Sequence, residues 1–202
     1  MLFGVNYSYY DVDNARQTFT ERHAQLFGSL QRIDIGNVHG YQQLGLEFAA
    51  QQGPVAVLSE TFIRTYNRSG AHRDVTVWGT YLEGRVFLTG DYRRFNAAQA
   101  VWSGVNLKHN LEFESRRGCN SATYLGAWEL AGKWSYTDVT DSNKASLPGV
   151  LADRVHDFTL GLNWYWTERV RVMFGYTRIL PADNIGGHSG IDQFSTSFRY
   201  FF

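Results

Sequence analysis

Alternation of apolar and polar residues with a period of two runs along most of the chain, the pattern of strands with two different faces. In 192–202, Phe194, Thr196, Phe198, Tyr200 and Phe202 fall on one face, and Gln193, Ser195, Ser197 and Arg199 on the other. In 169–179, Val170, Val172, Phe174 and Tyr176 oppose Arg171, Met173, Gly175 and Thr177. In 154–166, Phe158, Leu160, Leu162, Trp164 and Trp166 oppose Thr159, Gly161, Asn163 and Tyr165. The same rule predicts strands at 124–137, 74–90, 54–66, 41–51 and 2–10. Segment 17–36 reads as one strand or two, so about nine or ten strands are expected, each near the length that crosses a bilayer when tilted.

The connections alternate as well. Gln52-Gly53-Pro54 and Thr167-Glu168 predict tight hairpin turns on one side. Longer polar loops at 67–73, 138–153 and 180–190 fall on the other, as in membrane barrels. Segment 91–122 breaks the rule: it is long, carries Arg93, Arg94, Lys108, Arg116 and Arg117, and belongs by parity to the short-turn side.

Composition sharpens the choice between a soluble and a membrane sheet. Mean hydropathy is −0.33, which alternating faces produce whether or not the apolar face meets lipid. No run approaches the roughly 18–20 apolar residues of a membrane helix. Aromatic residues reach 16%, and Tyr9, Trp78, Trp128, Tyr136, Trp164, Trp166, Tyr176 and Tyr200 sit at the ends of the apolar faces. Amphipathic rings favour the bilayer interface there. The opposite face carries Arg64, Arg85, Lys133, Arg171 and Arg199 with Glu47, Glu60, Glu83 and Glu129. Charges of both signs on one face suit a water-filled lumen, and these nine residues are the pore-lining candidates. The fold class expected is all-β, an antiparallel transmembrane barrel left incomplete; the competing reading is a soluble sandwich with a charged outer face.

The last strand, with aromatics at every second position up to Phe202, looks like the signal that barrel assembly machinery reads. The first residues, Met1 to Tyr7, show no secretory leader and read as mid-strand. Both features are expected of the carboxy-terminal part of a single barrel domain spanning 1–202.

Three blocks in order resemble the phosphate-selective porin O and P family: Tyr81 to Tyr92, Gly126 to Tyr136, and Leu160 to Trp166 followed by Val170-Arg171-Val172. Leu44 to Glu47 leading to Gly53-Pro54 adds a weaker one. The resemblance implies an outer-membrane porin: a sixteen-stranded, trimeric barrel in outer-membrane lipid, of which this chain matches the carboxy-terminal half. It implies passive diffusion of small solutes, with small anions such as phosphate favoured in some members. No arginine of the family's ladder is matched to a position here.

Other chemistry finds little support. Net charge is zero, from 19 basic and 19 acidic residues, which argues against a nucleic-acid partner. Cys119 alone cannot form an internal disulfide. His23, His39, His72, His109, His156 and His188 are not paired at metal-ligand spacing, and most read as loop residues. Asp11, Asp13 and Asn14 read as a solvated loop, without the glycine a calcium loop needs. No cofactor is expected. A barrel enzyme would have to draw on the rim cluster Asp153, His156 and Asp157. A non-conducting structural barrel is the other alternative; neither displaces the porin reading.

Overall fold

The computed structural model describes residues 1–21, 30–96, 101–113, 122–144, 151–182 and 189–202. Eight antiparallel strands form one sheet: β1 (Leu2–Glu21), β2 (Gln31–Gln52), β3 (Val55–Arg68), β4 (Val75–Phe87), β9 (Ala127–Asp138), β10 (Arg154–Tyr165), β11 (Val170–Pro181) and β12 (Ile191–Tyr200). They lie side by side in chain order, and the sheet is open, with β1 and β12 at its edges. Between β4 and β9 the chain leaves the sheet and makes two small two-stranded sheets. These are β5 (Tyr92–Asn96) with β6 (Val101–Asn106), and β7 (Leu111–Phe113) with β8 (Ala122–Leu125). A single short helix, α1 (Thr140–Lys144), follows β9 among the described residues.

The register places the predicted apolar positions on one continuous face. Leu44 is opposite Ile63, which is opposite Trp78. Val86 is opposite Leu130, which is opposite Leu162, then Phe174. Trp128 stacks on Trp164 at 4.9 Å with an interplanar angle of 13°. Leu160, Phe174, Phe198 and Tyr200 are exposed rather than gathered into a dry interior. An apolar face this broad far exceeds the patches tolerated on soluble monomers, and lipid is the solvent it suits.

Glycine and threonine make the short turns. Gly53 opens the β2–β3 turn with φ of +55°, a conformation that side chains with a Cβ resist. The Thr167 hydroxyl accepts the Val170 and Arg169 backbone N–H groups at the β10–β11 turn. Gly126, φ +70°, leads the chain back into β9; a Cβ there would lie 2.1 Å from the Tyr165 carbonyl oxygen.

Two expectations are corrected. The main sheet has eight strands, because 17–36 supplies only the outer ends of β1 and β2 and no separate strand within its described residues. Those ends fold over the opposite face of the sheet. Phe19, Ile33, Ile35 and Val38 pack against Tyr66, Val75, Val77 and Val139, and Leu30 packs against Ala152, Val155 and Ile179. Asp11, Asp13 and Asn14 lie within β1, where the register with β2 shifts, and not in a loop. Segment 91–122 belongs to the longer excursion between β4 and β9 that carries β5 to β8 and ends at Gly126, on the short-turn side as parity required. Cys119, Arg116, Arg117, His23 and His188 lie outside the described residues.

Candidate pore-lining face

All nine charged candidates project from the face opposite the apolar one, since side chains alternate across a strand and the eight strands keep one parity. The registers also fix their heights. Nearest the short turns, Arg171 is directly opposite Arg199. One row above is Glu129, opposite Asn163. Then come Arg85, and next Glu83 opposite Lys133. Above these lies a row in which Glu47 faces Glu60, Glu60 faces Tyr81, Tyr81 faces Ser135 and Ser135 faces Asp157. Arg64 stands higher, towards the long loops.

Their partners differ. Arg85 donates to Glu83 in an ion pair along its own strand. Arg64 donates from Nε to Gln43 Oε1 at 2.8 Å and from Nη1 to the Tyr66 hydroxyl at 3.3 Å. Lys133 Nζ lies 4.6 Å from the centre of the Tyr81 ring, a cation–π contact that leaves the charge in place. Glu47 accepts from Asn6 Nδ2 at 3.1 Å. Arg171 donates from Nη1 to the Tyr165 hydroxyl at 3.1 Å. Among the described residues neither Arg171 nor Arg199 has an ion-pair partner.

Glu129 has the most enclosed position. Its side chain is 0% exposed. Arg93, on β5 of the excursion, grips it with two bonds: Nε to Oε1 at 3.1 Å and Nη2 to Oε2 at 3.0 Å. Tyr165 Oη donates to Oε2 at 2.7 Å, and Asn163 Nδ2 donates to it at 2.9 Å. Glu129 is thus paired with a residue 36 positions away in the chain, from a segment whose place the alternation could not assign. Charge-assisted bidentate pairs of this kind are strong and directional.

The rim cluster does not assemble. His156 and Asp157 are neighbours on β10 and so project from opposite faces. His156 Nδ1 accepts from Trp134 Nε1 at 3.3 Å on the apolar side. Asp157 accepts from the Ser135 hydroxyl at 3.2 Å on the other. Among the described residues the sheet therefore splits His156 from Asp157 and does not bring them together as base and orienting group.

An open antiparallel sheet with a broad apolar face and a charged opposite face is the wall of a transmembrane barrel. The family model for "Phosphate-selective porin O and P" matches residues 4–179. The chain belongs to that family, whose members are outer-membrane porins and not enzymes. Porin O of Pseudomonas aeruginosa is 24% identical over 234 aligned positions, covering 98% of this chain and 48% of the relative. The chain therefore spans about half the length of the curated relative it matches.

Proposed function

We propose that this sheet is one wall of an outer-membrane pore, closed by further strands, through which small solutes diffuse with a modest preference for anions. The observation that carries the preference is the Arg171–Arg199 pair. Arg171 and Arg199 are register partners across β11 and β12 on the lumen side. Like charges so placed repel and destabilise a sheet, and no carboxylate among the described residues neutralises either one. Fixed positive charge at a narrow level of a pore lowers the entry barrier for anions. Arg64 and Lys133 add to it, while Glu47 and Glu60 oppose it higher up. Phosphate is one anion of suitable chemistry, and a trimer of complete barrels is the assembly that the family suggests.

Single-channel reversal potentials in a potassium chloride gradient test the reading on the full-length protein. Chloride should be favoured, and Arg171→Gln with Arg199→Gln should reduce that preference about two- to fivefold, since each removes one positive charge without an ion-pair partner at close range. A cation-selective pore, or one indifferent to both substitutions, would sink it. One feature favours a second reading, a barrel that does not conduct: the ends of β1 and β2 fold over the lumen face and pack there. Absence of conductance steps, with no flux of small solutes into liposomes, would establish that reading.

A further inference from the structure

We propose that Arg93 is a specificity-determining residue of the pore, acting by neutralising Glu129 and so leaving Arg171 and Arg199 uncompensated. The inference rests on the anion-preferring reading above, but its test does not depend on that reading's success.

Four groups are in one hydrogen-bonded chain. The Tyr165 hydroxyl accepts from Arg93 Nη2 and from Arg171 Nη1 (3.1 Å), and donates to Glu129 Oε2 (2.7 Å). One phenol oxygen therefore separates the Glu129 carboxylate from the Arg171 guanidinium. The two guanidinium groups also lie over the Tyr165 ring, at 5.8 Å for Arg93 and 5.4 Å for Arg171. Without Arg93, the buried carboxylate would be left to Arg85, which lines the same pocket, and, through the Tyr165 hydroxyl, to Arg171. Part of the positive field of both would then be spent on Glu129, not on solutes in the lumen. With Arg93 in place, both Glu129 oxygens are taken, and Arg171 and Arg199 remain a net positive pair.

The position of Arg93 does not depend on this ion pair alone. The excursion is also anchored by an apolar cluster in which Val105 packs with Phe87, Ala127 and Tyr165. Gln51 Nε2 donates to the Arg93 carbonyl oxygen at 2.8 Å. A substitution at Arg93 thus removes a charge while much of the docking surface stays.

The test uses the full-length protein in planar bilayers, with reversal potentials read in a potassium chloride gradient. Arg93→Gln should lower the chloride-to-potassium permeability ratio about two- to threefold, the size expected for one charge a few ångströms from the path through water-rich surroundings. Glu129→Gln should raise the ratio by a similar factor. The double variant should return it towards the wild-type value. Arg93→Lys, which keeps the charge, should leave it unchanged. If Arg93→Gln fails to give a folded barrel, Glu129→Gln and Arg93→Lys still decide. Shifts of the same sign in the two single variants, or no shift in Glu129→Gln, would overturn the proposal. A wild-type pore without anion preference would defeat the reading of Arg171 and Arg199, while opposite shifts in the two variants would still support charge compensation by Arg93.

Discussion

Four hydrogen-bond donors converge on the Glu129 carboxylate, and its side chain has no exposed surface. Taking two charges out of water is costly, and mutual attraction with well-formed hydrogen bonds offsets that cost. Removing one partner alone leaves the other buried without compensation. Glu129→Ala is therefore expected to destabilise the barrel by about 3–5 kcal/mol, read from the urea midpoint of refolding into lipid vesicles. A change below about 1 kcal/mol would mean that Arg93 finds water or another partner at once. The nine charged residues could be placed on one face from the sequence, because a period of two needs no tertiary information. The role of Arg93 could not. Its partner is remote in the chain, and the segment around it does not keep the alternation that assigns faces.

The strands themselves carry the clearest physical signature. Along β11, Val172, Phe174 and Tyr176 share the apolar face, and Arg171, Met173 and Gly175 share the other. Phe174 lies mid-strand, opposite Leu162 on one side and Thr196 on the other. A charge there would meet hydrocarbon. Phe174→Arg should cost about 2–4 kcal/mol, whereas Met173→Arg, one residue away on the lumen side, should cost much less. The same vesicle refolding assay compares them, and equal costs would contradict the assignment of faces. The sheet order from β2 to β12 was nearly legible, since short turns and alternating faces force neighbouring strands to pair. The ends of β1 and β2 were not. Ile33, Ile35 and Phe19 alternate as in any strand, yet they turn back over the lumen face and bury against Val75 and Val77. Register shifts after Asp11 and at Val38 release them from the plane of the wall. Such shifts insert residues without any reliable sequence mark. The direct pairing of β4 with β9 was hidden for a related reason, because the chain between them builds its own small sheets before returning at Gly126.

At the scale of the whole molecule, the open sheet decides what this chain can do by itself. β1 and β12 each have one strand neighbour and one free edge. In lipid, every unpaired backbone N–H or carbonyl costs several kcal/mol, so spanning sheets are closed. Closing these eight strands on themselves is opposed by volume. A barrel of about eight strands has an interior that side chains alone fill. This lumen face must also hold the folded-over ends of β1 and β2 and, at the other end, the segment carrying Arg93 and Val105. We therefore propose that further strands complete the barrel and that the 202 residues alone do not form a uniform channel. Refolded alone into liposomes, the chain should give heterogeneous or absent conductance steps and no compact, heat-sensitive band in gels. The longer protein should give one narrow step distribution and a clear mobility shift on heating. A narrow distribution from the chain alone would mean that its two edges do find partners. The crosslinked mass would then show whether β1 pairs with β12 of the same copy or of a second one, and in either case the requirement for further strands would be wrong.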